Sequence, residues 1–309
     1  MPETIGHCDT TNCDVLLSGV CAQGHTLLSD CPTYSLTQIE RRDGASVFGN
    51  GQDDEASLPG IQKVPLASGE PLDAAGVQEL LSWKAASLIT IVGDRDSGKS
   101  TLVCSIYDRF LRGPFSSFAF TSSRTLVGLE KRSHYARIES GHRKPDTART
   151  PISEGLRYFH FTVSPIEDSG DSRIDLLISD RAGEVYRQAR GNSALIAPLK
   201  ELEAANHIVI LLDGGRVADP VERSGAMQSV RQSLRAFLDG GALSDQSRVQ
   251  VVTTKLDVLS EQMKQPNLDA LFTPFETSMT KDFGPRLKEL SFFRLLLVIP
   301  SVSSTRLSV

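Results

Sequence analysis

Along most of this 309-residue chain, short apolar runs alternate with stretches whose apolar residues recur every three or four positions. Residues 88–92 are an apolar, β-branched run, which reads as a buried parallel strand. After it, Leu102, Val103, Ile106, Phe110 and Leu111 repeat at helical spacing until Gly113-Pro114 ends the pattern. Residues 115–120 read as a strand, 156–163 alternate and read as another, and 174–179, 208–212, 249–253 and 295–299 complete the set. Helices are predicted over 72–86, 217–238 and 283–293, and Trp83 is assigned to the core. Strands alternating with helices predict a three-layer α/β domain with a mostly parallel sheet. Ligands of such sheets bind at the carboxyl ends of the strands.

The N-terminal part follows different rules. Residues 41–69 are rich in Gly, Ser, Asp and Pro without periodicity and read as a linker. The predicted organisation is a Cys/His-rich segment over 1–40, a flexible linker over 41–70 and the α/β domain over 71–309. Four of the five cysteines, Cys8, Cys13, Cys21 and Cys31, fall in the first segment with His25 among them. In a reducing compartment such a cluster points to metal rather than disulfides, and thiolate and imidazole are the ligands of tetrahedral structural Zn²⁺. A segment this short buries little apolar surface, so metal binding would supply folding energy. The four cysteines are the expected ligands and His25 an alternative; free or redox-active thiols are the competing reading. Cys104, on the helix after residue 98, reads as a small core residue.

Composition narrows the partners. The net charge is −5 and 39% of residues are hydrophobic, which gives no electrostatic reason to expect nucleic acid or a membrane surface. No apolar run is long enough to span a membrane, and no signal-peptide pattern opens the chain, so a cytoplasmic protein is expected. Residues 124–149 carry Lys131, Arg132, Arg137, Arg143, Lys144 and Arg149 against Glu130, Glu139 and Asp146. A solvated surface is the ordinary explanation; a docking surface for an acidic partner or for phosphates is the other.

Candidate chemistry sits where the strands end. Gly93, Asp94, Arg95, Asp96, Ser97, Gly98, Lys99 and Ser100, with Thr101 following, fit the phosphate-binding pattern G-x-x-x-x-G-K-[ST] between a strand and a helix. Glycines let backbone N–H groups curl around a phosphate, and the helix N-terminus adds partial positive charge. Lys99 would reach the β and γ phosphates, and the Ser100 hydroxyl would sit on Mg²⁺. Asp180-Arg-Ala-Gly183 follows the run 174–179. An acid there can hold Mg²⁺ through water, and Gly183 can offer its N–H to a γ-phosphate. Thr254-Lys-Leu-Asp257 follows the run 249–253. The Asp257 carboxylate can accept two hydrogen bonds from guanine that adenine does not offer, while the Lys255 stem covers the base.

These three motifs, in this order, resemble the GTPases of the translation-factor-related (TRAFAC) class. Thr254 stands where most members carry Asn, as in dynamin-like members. More narrowly the chain is similar to bacterial double-GTPase-type proteins, on the stretch 123–134, on Arg149-Thr-Pro151 and on the N-terminal Cys/His cluster. The resemblance implies GTP and GDP as ligands with Mg²⁺, and a threonine that closes on Mg²⁺, with Thr150 the choice and Thr147 second. It implies hydrolysis as a conformational switch, slow without a partner, because Glu184 stands where small GTPases commonly place Gln. Asp96 occupies the place of an Asn that helps potassium-activated relatives bind a monovalent cation, and Arg95 is a second candidate to stabilise charge on the phosphate. Ser301 lies where a loop touches the base. A protein partner or second GTPase within a bacterial multi-protein system is also implied. The alternatives are a nucleotide-dependent scaffold or assembly module with negligible turnover, and a P-loop ATPase.

Overall fold

The structure, a computed structural model, describes residues 3–8, 31, 34–39, 67–136, 150–167, 172–264 and 267–295. The chain divides into two compact units, Met1–Val64 and Pro65–Val309. In the first, β1 (Glu3–Cys8) pairs antiparallel with β2 (Tyr34–Ile39), Cys8 opposite Tyr34. Cys31 is buried. Cys13, Cys21 and His25 lie outside the described residues, as does the stretch read as a linker up to residue 66. Among the described residues no group of three His, Cys, Asp or Glu is placed to hold a metal.

The second unit begins with α1 (Ala74–Trp83), whose N-terminus is capped by Asp73 accepting from the Gly76 N–H at 2.9 Å. Then come β3 (Ser87–Val92), α2 (Lys99–Leu111), β4 (Phe118–Ser122), α3 (Leu126–Ala136), β5 (Arg157–Pro165) and β6 (Ile174–Asp180). The second half runs α4 (Gly183–Gly191), α5 (Lys200–Ala204), β7 (His207–Asp213), α6 (Gly214–Ala218), α7 (Arg223–Asp239), β8 (Arg248–Thr254), α8 (Leu256–Gln262), α9 (Leu268–Phe283) and β9 (Glu289–Arg294). The seven strands form one sheet in the order β4-β5-β6-β3-β7-β8-β9. β6, β3, β7, β8 and β9 are parallel, and β4 and β5 pair antiparallel at one edge. All five parallel strands therefore deliver their carboxyl ends to the same edge of the sheet.

Alternation along the strands builds the three layers. Ile208, Ile210 and Leu212 of β7 face one side, packed with Tyr186, Leu202, Leu234, Phe237 and Phe272 from the helices there. Val209 and Leu211 face the other, with Ile91, Phe159 and Phe161, covered by Leu102, Val103 and Tyr107 of α2 and Leu129 of α3. α1 lays Val77 and Leu80 on Leu88, Tyr158 and Leu177. These buried runs confirm the predicted α/β class, and Cys104 is fully buried as expected.

Four expectations fail, each for a local reason. The helix predicted over 283–293 is absent: Gly284–Arg286 is a single 3-10 turn and β9 follows. Pro285 follows the end of α9, and the apolar residues beyond it serve an outer strand, where Phe292 meets Phe275 edge-on. The strand expected at 295–299 is thus earlier in the chain, and 296–299 lie outside the described residues. The helix expected over 217–238 breaks into α6 and α7 around Asp219-Pro220, because the residue before a proline is driven out of helical geometry. Trp83 is 59% exposed rather than core, at the last position of α1, with Lys84 and Arg124 over its ring.

Candidate functional site

The loop from Gly93 to Gly98 joins β3 to α2. Its turn needs left-handed backbone at Asp96 (φ 61°) and Gly98 (φ 92°), the second being the N-cap of α2. The Lys99 ammonium lies back over the loop and donates to the carbonyls of Gly93 at 3.0 Å and Asp94 at 2.9 Å. Burial lowers its pKa, opposed by the charges of Asp180, Asp94, Glu184 and Asp96. Lys99 is thus a desolvated cation facing carboxylates at the head of a helix.

Asp180, at the end of β6, is 2% exposed. It accepts hydrogen bonds from the Thr150 hydroxyl at 3.1 and 3.2 Å and pairs with Arg132 at 3.0 Å. Gly183 starts α4 in contact with the P-loop: a Cβ there would lie 2.6 Å from the Gly93 oxygen and the Asp94 carbonyl carbon. No side chain fits at that position without moving backbone. Thus Thr150, Asp180, Gly183 and the 93–99 loop converge, although 87 residues separate Gly93 from Asp180 in the sequence (180 − 93).

The third motif is tied to the first. The buried Thr254 hydroxyl donates to the Ser97 carbonyl at 2.8 Å. Lys255 adopts left-handed backbone (φ 51°) at the N-cap of α8, and its ammonium bonds Asp213 at 2.9 Å. Asp257, in the first turn of α8, is exposed and makes no hydrogen bond or ion pair among the described residues.

With this geometry in view, residues 87–296 match the sequence model of the family described as Double-GTPase 2. The chain belongs to that family. It is a translation-factor-related P-loop GTPase of double-GTPase type, and so a GTP-binding and GTP-hydrolysing protein. Among solved structures it is similar to the signal recognition particle receptor SRb-GTP/SRX complex from Chaetomium thermophilum, at 14% identity over 71% of this chain and 94% of that one, with a TM-score of 0.38. The S. cerevisiae Ski7 GTPase-like domain bound to GDP and inorganic phosphate matches at 13% identity over 70% of this chain, with a TM-score of 0.38; the match takes in 45% of the Ski7 chain. A search of the curated proteins gives no significant match.

In this double-GTPase domain the P-loop acids are already engaged by protein groups. Asp94 pairs with Arg190 of α4 at 2.7 Å and Arg216 of α6 at 3.3 Å, and accepts from Ser229 of α7 at 2.6 Å. Burial alone would raise its carboxyl; the hydrogen bonds from Ser229 and Arg190 and the guanidinium charges outweigh it and hold the pKa below 3.8. Arg95 and Asp96 pair with each other at 3.3 Å on the surface. Glu184 lies in the first turn of α4, and its charge is felt by Lys99. Ser301 and Thr147 lie outside the described residues.

Sequence reasoning missed several groups that hold this double-GTPase site. Asp213 caps α6, accepting from the Gly215 N–H at 2.9 Å, and at the same time anchors Lys255. Gly214 lies where a Cβ would come within 2.2 Å of the Thr254 oxygen, so the end of β7 and the loop at Thr254-Lys255 touch backbone to backbone. Arg181, inside the D-x-x-G turn, pairs at 2.8 Å with the buried Glu201 of α5, which also accepts from Tyr186 at 3.2 Å. Burial raises the Glu201 carboxyl, with Arg181 opposing. The available signal was Asp-Gly-Gly at 213–215 directly after an apolar strand. Arg132 corrects an expectation: read as part of a solvated basic surface, its side chain is only 12% exposed and turns into the site.

Proposed function

We propose that this GTPase binds GTP with Mg²⁺ and hydrolyses it to GDP and phosphate as a conformational switch. The observation that carries the reading is the convergence of Thr150, Asp180 and Gly183 on the P-loop. Backbone N–H groups of residues 93–99 cradle the phosphates, and Lys99 exchanges its two carbonyl acceptors for β- and γ-phosphate oxygens. Ser100 and Thr150 hydroxyls, with Asp180 through water, form an all-oxygen set that suits Mg²⁺, which neutralises charge on the β- and γ-phosphates. The Gly183 N–H faces the γ-phosphate, so its presence orders α4 and the Thr150 segment and its loss releases them. Glu184 orients the attacking water, and its negative charge keeps turnover slow without a partner. Asp257 reads guanine and Lys255 covers the base, with Ser301 contributing from beyond β9.

Binding of fluorescent GDP and GTP analogues, with ATP as competitor, tests this reading together with phosphate release. Guanine-selective binding that Asp257→Asn abolishes supports it; equal competition by ATP replaces it with a generic P-loop ATPase. A scaffold with negligible turnover is favoured by Glu184 and by the acids Asp94 and Asp96, and is selected if nucleotide binds tightly while phosphate release stays at the buffer level. In the N-terminal unit we place Zn²⁺ on Cys8, Cys13, Cys21 and Cys31, with His25 the alternative ligand. The β1–β2 pairing supports this by bringing Cys8 opposite Tyr34, close in sequence to Cys31. Metal analysis of the purified chain, and of its Cys→Ser variants, decides it. A protein partner or second GTPase of a bacterial system would read the nucleotide state.

A further inference from the structure

Arg132 lies on α3, in the stretch between α2 and β5, yet its guanidinium reaches the end of β6. Nη1 donates to the Thr150 hydroxyl at 2.9 Å and lies 3.0 Å from an Asp180 oxygen. Nη2 is 3.3 Å from both oxygens of Glu154, and the guanidinium carbon is 5.4 Å from the Phe159 ring centroid. The Thr150 hydroxyl in turn donates to Asp180, so three groups from α3, the 150 segment and β6 are closed into one network. A planar fork of fixed charge makes this possible; a lysine ammonium is a point charge and spans fewer acceptors.

On the functional reading above, the Thr150 and Asp180 oxygens are the ones that face Mg²⁺. That ion demands oxygens at about 2.0–2.1 Å in near-octahedral order and keeps several of its waters. A guanidinium in contact with the same oxygens leaves no room for that shell and adds like charge beside it. We propose that Arg132 is an internal counter-cation: it holds Thr150 and Asp180 together while Mg²⁺ is away, and is displaced when Mg²⁺ arrives with the nucleotide. Arg132 is then a positioning residue that sets the Mg²⁺ requirement of the site. Glu154 and Phe159 keep the displaced guanidinium nearby, since neither contact depends on Asp180. Because the side chain belongs to α3, nucleotide state is passed to that helix through one ion pair.

The test uses the full chain as wild type, Arg132→Gln and Arg132→Lys, and measures the Mg²⁺ concentration that half-saturates retention of a fluorescent, non-hydrolysable GTP analogue, the state in which Thr150 closes on the ion. The Gln variant is expected to need on the order of fivefold less Mg²⁺, the size of one partly screened charge interaction, and the Lys variant less of a change. The Gln variant also gains more thermal stability than wild type when Mg²⁺ and that GTP analogue are added, because its buried Asp180 has lost its resident cation. An unchanged Mg²⁺ half-point in a folded Gln variant overturns the proposal. So does a fall in phosphate release at an unchanged half-point, which would make Arg132 a group acting on the phosphate itself. If the Gln variant does not fold, the Lys variant carries the test, and an unchanged half-point there is equally fatal. Failure of the wild type to bind guanine nucleotide would instead remove the functional reading, and this proposal with it.

Discussion

Gly183→Ala isolates the contact between α4 and the P-loop with a single methyl group. The added Cβ would sit 2.6 Å from the Gly93 oxygen and the Asp94 carbonyl carbon and 2.7 Å from the Arg95 nitrogen, against 3.4 Å for ordinary contact. All three atoms are backbone, so relief means parting the helix start from the loop by about 0.8 Å rather than turning a side chain. Overpacking of this kind costs about 1–3 kcal/mol, which in a domain of this size lowers Tm by roughly 2–10 °C. Asp94 holds the loop to Arg190 of the same helix, so the strain also falls on that ion pair. On the proposed reading the Gly183 N–H meets the γ-phosphate, so the preference for a GTP analogue over GDP should drop about tenfold, equivalent to about 1.4 kcal/mol. Gly191→Ala, at the other end of α4, is the control. Nothing lies within 4 Å of its added Cβ, so it should be neutral or gain about 0.4–1 kcal/mol through a stiffer unfolded chain. Differential scanning fluorimetry and nucleotide titration read both. A Gly183→Ala variant with wild-type Tm and wild-type GTP preference would refute the reasoning.

Three further outcomes are expected. Asp213→Asn keeps an acceptor for the α6 amides but loses the Lys255 ion pair; because the Lys255 side chain is 34% exposed, the loss is partly screened and fluorescent GDP should bind about 3–10-fold more weakly. Asp94 has its folded pKa below 3.8, so its contribution to stability is complete above the unfolded value and is lost as pH falls through the lowered one. Asp94→Asn should therefore be destabilised in urea melts at pH 7 and approach wild type below about pH 4; a gap that does not narrow contradicts the ion-pair assignment. Trp83, the single tryptophan, should show emission close to that of free tryptophan in the folded protein and, with Lys84 and Arg124 beside its ring, be quenched more by iodide than by caesium. A blue-shifted, quencher-resistant spectrum would return it to the core.

The strands that carry the site were legible because each is a local solution: residues 88–92, 174–179, 208–212 and 249–253 are apolar runs, and a strand buried on both faces can be little else. The three nucleotide motifs were legible for a related reason, since a glycine turn, an acid at a strand end and a Lys-x-Asp pair are short pieces of backbone chemistry readable within eight residues. Helices were read less well where packing decides. α9 continues through Pro274, while Gly284 and Pro285 end the pattern that looked helical from 283 onward. What the chain order could not convey is which distant charges meet. Asp94 and Ser229 are 135 residues apart, and Arg132 reaches Asp180 from a segment whose charges read as solvated surface. A motif is a conformation its own residues can hold, so sequence alone determined the fold class and the phosphate loop. The partners of Asp94, the anchoring of Lys255 by Asp213 and the turn of Arg132 into the site depend on how separate elements pack, and only the tertiary structure decided them.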